Sequence, residues 1–417
     1  MINVYFENKL KKYLNFLISN GSLNFIIFYT FFLKNLHSYF SKYYKLFLFV
    51  RNAQNLKFFP QFIQEKINNQ NLPVLIISLS LWGDKYIHLF NNFFLPSFLP
   101  NATVDEISKS RLIIVNLYTS SNYMLIIKTI IENKKYDLNN IIFNIIDTGN
   151  DIINMYNLAD NNFKYTLYGA FHICDLVISK KMNADFLPIA PDGVHSFNSL
   201  SNYINLLDSG YNVLLLTGLR IQAETSIPTI EKYYDYKNNS LTINGAELTS
   251  IAANNIHHEF RRYFLFNCNN KIPETMSLRI YPYENYFKMN SYHLHPILIS
   301  SRLLKNISKL SYDTVDAGII NHLNVDSKSY IDKIKVIDDS NIGCMVDLSY
   351  LYPNISLGVF VDNIYSYEFA NSQKKIFNKE INLFNFDADI LFLSYKKLNY
   401  RTFENENGKL IECNIDL

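Results

Sequence analysis

The stretch PVLIISLSLWGDKYIHLFNNFFLPSF, residues 73–98, decides the fold class of this chain. Its first half, Val74–Leu81, is apolar and ends before Gly83, which is typical of a buried β-strand. After the turn, apolar residues recur at helical spacing. A buried strand, a short turn and a helix are how an α/β domain with a parallel sheet begins, and ligands bind at the carboxyl ends of such strands. The sole tryptophan, Trp82, therefore lies where a ligand would bind, although packing on the core edge is an equally good interpretation.

The alternation of strand and helix continues over residues 73–300. Apolar runs predict four strands, namely Val74–Leu81, Leu112–Tyr118, Ile141–Asp147 and Asn212–Thr217. Helical spacing predicts four helices, namely Asn122–Glu132, Ala170–Met182, Ser199–Leu207 and Ala246–His257. This order predicts an α/β fold with a mostly parallel sheet flanked by helices. Short strand-like pieces follow, so residues 301–417 are predicted to form a smaller mixed α/β C-terminal subdomain.

The first 70 residues are basic and aromatic, and they are predicted to form a helical N-terminal segment. Their charge-free stretch contains polar residues, and its apolar part falls short of the roughly 20 residues that a transmembrane helix needs. Two interpretations stay open. One is an amphipathic helical pair that makes peripheral contact with an anionic membrane, and the other is a helical hairpin packed on the main domain.

Composition restricts the class of protein further. The 417 residues are 48% hydrophobic, which allows a sizeable core, and a formal net charge of +2 argues against a nucleic-acid partner. The four cysteines lie far apart without CxxC spacing, and no signal peptide is recognisable, so a reducing, cytoplasmic location is expected. The chain contains no GxxxxGK[ST], GxGxxG or GxSxG motif, which weighs against nucleotide-hydrolysing, dinucleotide-dependent and serine-esterase functions.

Two short motifs carry side chains suited to chemistry. In the first, an apolar segment ends at Pro191-Asp192-Gly193, so that a carboxylate stands in a turn with His195 three residues on. Ordinary turn formation explains the same residues equally well. In the second, His293 and His295 flank a single residue, and in an extended chain they project to one face, close enough to share a metal, a phosphate or a carboxylate.

Other polar residues follow predicted strands. Arg220 comes after the strand Asn212–Thr217, where a guanidinium suits a pyrophosphate, and Glu224 follows it at helical spacing, where an internal ion pair is the alternative. Asp338 and Asp339 also end an apolar strand, but a solvated loop is the favoured interpretation of that pair.

Taken in order, several of these segments resemble bacterial glycosyltransferase-like proteins of the GT-A, nucleotide-diphospho-sugar transferase type. The resemblance is diffuse and covers roughly residues 73–340. The segments that carry it are Leu81–Tyr86, Leu95–Phe98, Ala184–Leu187, Pro191–Gly193, Gly218–Arg220 and His293–Pro296. In that fold the turn after the first strand holds the nucleotide, a DxD carboxylate pair holds Mn²⁺ or Mg²⁺ on the pyrophosphate, and a later histidine often completes the metal shell.

The resemblance implies a role for each matched position. Trp82, Gly83 and Tyr86 would meet the nucleotide, Asp192 would stand at the carboxylate site, and His293 or His295 would be the late metal ligand. Because Asp192-Gly193-Val194 is not DxD, either His195 or Arg220 is expected to take over part of that role.

The predicted function is transfer of a sugar from a nucleotide-sugar donor to a polysaccharide, glycolipid or protein acceptor. Asp192, His195 and Glu224 are the candidates for the catalytic groups that such a reaction needs. If the N-terminal segment lies on the inner face of the membrane, a lipid-linked acceptor and a role in polysaccharide biosynthesis follow. The alternatives are a non-catalytic glycan- or nucleotide-binding protein with the same fold, and a scaffold that assembles through the N-terminal segment.

Overall fold

The computed structural model describes residues 59–134, 140–149, 163–216, 218–257, 295–305 and 333–350, four residues between 48 and 57, and the backbone of seven further strands. The helices are α1 (Gln61–Asn69), α2 (Asp84–Leu89), a π-helical turn (Phe90–Phe94), α3 (Leu95–Phe98), α4 (Asn101–Ile107), α5 (Ser121–Asn133), α6 (Phe163–Met182), α7 (Ser199–Asp208), α8 (Ala223–Ile230), a 3₁₀ turn (Glu231–Tyr233), α9 (Gly245–Asn254) and α10 (Ser301–Leu304).

Nineteen strands are described. They are β1 (Val74–Ser80), β2 (Leu112–Thr119), β3 (Ile141–Asp147), β4 (Asp185–Pro188), β5 (Gly193–His195), β6 (Val213–Leu215), β7 (Gly218–Gln222), β8 (Tyr234–Asp235), β9 (Ser240–Leu241), β10 (Lys271–Pro273), β11 (Leu278–Pro282), β12 (Tyr286–Ser291), β13 (Ile297–Ile299), β14 (Ile334–Val336), β15 (Met345–Ser349), β16 (Phe360–Asp362), β17 (Ala388–Leu393), β18 (Asn399–Asn405) and β19 (Gly408–Asn414).

The main sheet has seven strands in the order β14-β6-β13-β4-β1-β2-β3. Strands β4, β1, β2 and β3 are mutually parallel, and β14 is parallel to β6. Strand β13 runs antiparallel to both of its neighbours, β4 and β6. The predicted fold class, α/β with a mostly parallel sheet flanked by helices, is therefore confirmed.

Strands β1 and β2 are buried along their whole length because helices cover both faces of the sheet. On one face, alternate residues of these strands pack against the helices that follow β1 and against α7. On the other face, Val74 and Ile76 pack against α6 and against the start of α1, where Phe59 and Ile63 are buried. The end of the predicted N-terminal segment thus belongs to the main core.

The face of the sheet that α6 covers becomes polar toward the carboxyl ends of the strands. Ser78, Asn116 and Asn144 lie side by side on β1, β2 and β3. The Asn144 amide donates to Asn116 Oδ1 at 2.9 Å, and the Asn116 amide donates to Asp175 Oδ1 of α6 at 2.5 Å. Tyr118 donates its hydroxyl to the same carboxylate oxygen at 2.6 Å. A hydrogen-bonded layer around Asp175, which we call the polar layer, therefore lies inside the core.

A buried ion pair fastens the opposite, amino-terminal edge of the sheet. Arg111, which precedes β2, contacts Asp185 at the start of β4 and Asp208 at the end of α7. Asp185 also accepts a hydrogen bond from the Ser301 backbone at 2.7 Å. Four elements are thereby tied together around one guanidinium.

A second, three-stranded sheet has the order β5-β15-β7, with β15 antiparallel to β5 and parallel to β7. Its three strands come from separate parts of the chain, and their inward side chains join the core beneath α8 and α9. Because β14 belongs to the main sheet and β15 to this small sheet, the described residues 301–305 and 333–350 add to the same core as the described residues before them. The division of the chain into three regions stays a prediction.

The predictions for residues 1–47 lie outside the described residues. Phe49 is described, and its ring packs edge-on against Tyr118 and Phe171, at centroid distances of 6.1 and 5.5 Å. Within the part of the chain that is described, no helix combines the length and the apolar character needed to cross a bilayer.

Candidate functional site

The turn after β1 begins with a packed aromatic side chain. Trp82 is 9% exposed, stacks on Tyr168 of α6 at a centroid distance of 5.3 Å, and meets Phe171 edge-on. Its packing therefore matches the core-edge interpretation. Gly83 has a φ of +84°, a conformation that side-chain-bearing residues rarely adopt, and this lets the chain reverse into α2. Tyr86 is half-buried on the same helix, so the predicted nucleotide-binding roles of Trp82, Gly83 and Tyr86 stay predictions.

The acidic turn follows β4 and lies at the carboxyl-terminal edge of the main sheet, next to the exit of β1. Strand β4 pairs with β1, and the Ile189 backbone continues the ladder by donating to Ser78 at 3.0 Å. Asp192 is partly exposed, and its backbone carbonyl accepts from Leu348 of β15 at 3.0 Å. The turn is thereby held against β15.

Asp347 of β15 forms a pair of carboxylates with Asp192. The sequence analysis identified Asp192 but not Asp347. It lies opposite Gly193 on one side and opposite Arg220 on the other, and so shares a sheet face with Arg220. Burial and the negative charge of Asp192 both raise the pKa of the Asp347 carboxyl, and the Arg220 guanidinium opposes that rise. We call Asp192, Asp347 and Arg220 the carboxylate site.

Gly218 leaves room for Met345 and Asp347 on this face, and Gly193 leaves room for the His195 ring. A Cβ added at Gly218 would lie 2.5 Å from Met345 Cε and 3.4 Å from Asp347 Oδ2. A Cβ added at Gly193 would lie 3.2 Å from His195 Nε2. The glycines that flank β15 therefore allow the Met345 and Asp347 side chains to lie across the small sheet.

We expect Gly218→Ala to perturb the carboxylate site mildly. The methyl group would displace the flexible end of Met345 and crowd Asp347, so stability should fall by about 1 kcal/mol, at the low end of overpacking costs. Urea unfolding and the affinity for a nucleoside diphosphate with Mn²⁺ would measure the two effects. The control is Thr129→Ala, at an exposed position of α5, which should leave the affinity unchanged and should not lower stability, because alanine has the higher helix propensity. Unchanged stability and affinity in Gly218→Ala would contradict this account of the sheet face.

A further group of polar side chains lies near the end of β15, and it consists of Lys85, Tyr350 and Glu224. Tyr350 directly follows β15, and the Lys85 ammonium lies 4.1 Å from the centre of its ring. The negative charge of Glu224, in the first turn of α8, helps to raise the pKa of the Tyr350 hydroxyl, so these two groups are also close. The structure thus places Glu224 close to Tyr350, which directly follows the strand that carries Asp347. The catalytic roles predicted for Asp192 and Glu224 stay predictions.

His195 lies inside the core rather than in an open turn. Its ring has no exposed surface and packs against Phe98 and Phe94, at centroid distances of 4.4 and 5.9 Å. Burial lowers the pKa of His195 to about 3, so the ring is neutral at neutral pH. Neither ring nitrogen has a hydrogen-bond partner among the described residues. Strand β5 thus places this side chain under the helices after β1, and the catalytic role predicted for His195 stays a prediction.

The two motif histidines have different outcomes. His293 lies outside the described residues. His295 precedes the antiparallel strand β13, which starts at the carboxyl-terminal edge of the parallel strands. It is partly buried beside His172 of α6, and burial together with the His295 charge lowers the pKa of His172 to about 3. The predicted metal-binding role of His295 stays a prediction, whereas its closeness to His172 is observed.

The donor set at the carboxylate site suits a hard divalent cation that is shared with phosphate. Mg²⁺ in proteins is usually held by one or two carboxylates together with substrate phosphates and water. Asp192 and Asp347 provide two such carboxylates, and their mutual repulsion favours a cation between them. Among the described residues, no group of three or more His, Cys, Asp or Glu side chains is gathered for a metal. Mg²⁺ or Mn²⁺ therefore fits only together with ligand oxygens.

The other acidic pair, Asp338 and Asp339, has a local structural role. The Lys335 ammonium at the middle of β14 lies 2.9 Å from Asp338 Oδ1. Asp339 accepts from the Asn341 backbone at 2.9 Å. The solvated-loop interpretation of this pair agrees with both contacts.

No family model and no curated protein sequence matches the chain. Three solved structures are weakly similar. Mouse xyloside xylosyltransferase 1 is 9% identical over 40% of this chain and 56% of that chain, with a TM-score of 0.23. A Bacillus anthracis protein described as a putative glucose-1-phosphate thymidylyltransferase, solved with sucrose, is 11% identical over 72% of this chain and 94% of that chain, with a TM-score of 0.29. HddC from Yersinia pseudotuberculosis is 10% identical over 72% of this chain and 99% of that chain, with a TM-score of 0.26.

The alignment thus spans little more than half of the mouse xylosyltransferase. These neighbours include a sugar transferase and a nucleotidyltransferase, but we take no functional conclusion from scores this low. The proposed function therefore rests on the carboxylate site.

Proposed function

We propose that this protein is a glycosyltransferase that moves a sugar from a nucleotide-sugar donor to a polysaccharide, glycolipid or protein acceptor. The observation that carries the proposal is the carboxylate site, in which Asp192 and Asp347 interact electrostatically beside the Arg220 guanidinium. A pair of acidic side chains next to a cation, beside the turn that leaves the parallel strand β4, is suited to a ligand that carries phosphates.

Each residue has a proposed part in the transfer. Asp192 and Asp347 would hold Mg²⁺ or Mn²⁺, which when bound neutralises charge on the diphosphate. Arg220 binds the diphosphate and stabilises it as the bond between sugar carbon and phosphate oxygen breaks, with the electron pair leaving on the diphosphate. The acceptor oxygen forms the new bond to the sugar carbon, and Glu224 takes the acceptor proton. A glycan or lipid-linked acceptor and peripheral contact with the inner face of the membrane, in the cytoplasm, remain part of the proposal.

The test is an assay of the purified chain with UDP-, GDP-, CMP- and dTDP-sugars, with Mn²⁺ or Mg²⁺. We expect release of free nucleotide from at least one donor, and loss of that release on addition of EDTA. Calorimetric titration with the same donors separates the alternative, since binding without turnover would favour a non-catalytic glycan- or nucleotide-binding protein. Absence of both binding and release would overturn the proposal.

A further inference from the structure

The contact between Lys85 and Tyr350 joins the helix that follows β1 to the end of the strand that carries Asp347. Lys85 lies in the first turn of α2, directly after the turn that leaves β1, and Tyr350 directly follows β15, which carries Asp347. A 4.1 Å distance from the Lys85 ammonium to the Tyr350 ring centre is well within the range of a cation–π interaction. We propose that Lys85 is a positioning residue that clamps the start of α2 onto the end of β15 and so sets the affinity for the nucleotide donor.

The backbone on both sides of the clamp explains why a clamp is useful. Gly83 has a φ of +84°, and a Cβ added there would meet nothing within 4 Å, so one side of the turn before α2 is open. Tyr350 packs partly on the core cluster that contains Val346 and Leu348. The Lys85 side chain thus connects the first turn of α2 to a ring that is held on the core.

Charge around the clamp favours a cation at position 85. Tyr350 lies close enough to Glu224 for that carboxylate to raise the pKa of the tyrosine hydroxyl. The Lys85 ammonium thus lies over a ring that is flanked by a negative charge. Arginine preserves both the cation and its stacking on an aromatic face, whereas methionine preserves only the length of the side chain.

The clamp has a role in donor binding only if the proposed function is correct, so it is tested with and without a ligand. Without a ligand, the rate at which formaldehyde and a borohydride methylate the Lys85 amine is measured by mass spectrometry. We expect this rate to rise severalfold in Tyr350→Leu and to stay near the wild-type rate in Tyr350→Phe, which keeps the ring. Equal Lys85 rates in all three proteins would overturn the clamp whatever the protein does.

With a ligand, the affinity for UDP, GDP and dTDP is measured by calorimetry in the presence of Mn²⁺. We expect Lys85→Met to weaken binding of the preferred diphosphate on the order of tenfold, and Lys85→Arg to restore it to within about threefold, since cation–π contacts contribute on that scale. The matched control is Lys128→Met, which removes a 65% exposed lysine of α5.

The two failures are distinguishable. If the wild-type chain binds none of the three diphosphates, the proposed function fails while the methylation rates still report on the clamp. If the wild type binds a diphosphate but Lys85→Met binds it equally well, or Lys85→Arg fails to restore binding, the positioning role is overturned and the proposed function stands.

Discussion

Asp192→Ala and Asp347→Ala are each expected to abolish measurable sugar transfer, a loss on the order of 10³-fold. The two carboxylates are close enough for the charge of Asp192 to raise the pKa of Asp347, so neither can replace the other as a partner for a cation bound between them. Removing one leaves a single carboxylate beside Arg220, whose guanidinium then neutralises it. Nucleotide release from the donor that the wild type prefers is the measurement.

Asn variants separate loss of charge from loss of fold. Asp347→Asn keeps the shape of the side chain and removes its repulsion with Asp192, so this variant should be at least as stable as the wild type at pH 7 while remaining inactive. Asp338→Ala is the matched control, because Asp338 pairs with Lys335 outside the carboxylate site. Full activity in Asp192→Ala or in Asp347→Ala would remove that residue from the site.

Asp175→Asn is expected to remove a large pH dependence of stability. Burial raises the pKa of Asp175 to about 7, although hydrogen bonds from Tyr118 and Asn116 oppose the rise. In the unfolded chain an aspartate has a pKa near about 3.9, so between about pH 4 and pH 7 the native state holds a proton that the unfolded state has released. The contribution of this group to the free energy of unfolding therefore rises as the pH falls from about 8 to about 4, by about 4 kcal/mol as an upper limit.

The variant isolates that contribution. An asparagine keeps an acceptor oxygen for Tyr118 and Asn116. Its NH₂ group would take the place of Asp175 Oδ2, which lies beside Ser78 and has no hydrogen-bond partner among the described residues. We expect Asp175→Asn to gain stability over the wild type at pH 8 and to lose that advantage near pH 4. Urea unfolding from pH 4 to 8 measures the difference.

The wild type and Asp175→Asn have to be compared directly, because buried histidines change the stability with pH in the opposite direction. The pKa values of His172 and His195 are lowered to about 3, so these rings disfavour the native state as the pH falls below about 6.5 in both proteins. Asp105→Asn, at an exposed position of α4, is the control and should leave the pH profile unchanged. A wild-type minus Asp175→Asn difference that is constant with pH would contradict the prediction.

The main sheet was predictable where apolar runs were long. The predicted strand Ile141–Asp147 is confirmed in full, and the predicted strands in β1 and β2 differ from the observed ones by a single residue at one end. Helix α6 begins at Phe163, earlier than the predicted Ala170, because its first turns carry a weaker apolar pattern. Strands β4, β7 and β13 were missed as strands, since three to five residues carry too little periodicity to be recognised.

The carboxylate site was predictable only in part. A turn-forming sequence identified Asp192, and a strand end identified Arg220. Asp347 has no local signal, because it is a single acidic residue within a short apolar strand whose partners, β5 and β7, are known only from the fold. His195 was identified by its closeness to Asp192 in sequence, but that spacing could not predict that its ring is buried against Phe94 and Phe98.

The position of β15 between β5 and β7 determines when the site is completed during synthesis. A ribosome delivers Asp192 and Arg220 long before Asp347, and the strand that carries Asp347 must then insert between two strands that have already emerged. Pairings between such distant segments form late, because closing the intervening loop costs entropy before any contact is gained. A nascent or truncated chain that lacks this strand would hold one of the two carboxylates without the other, so the carboxylate site would be complete only in molecules that have folded through residue 349.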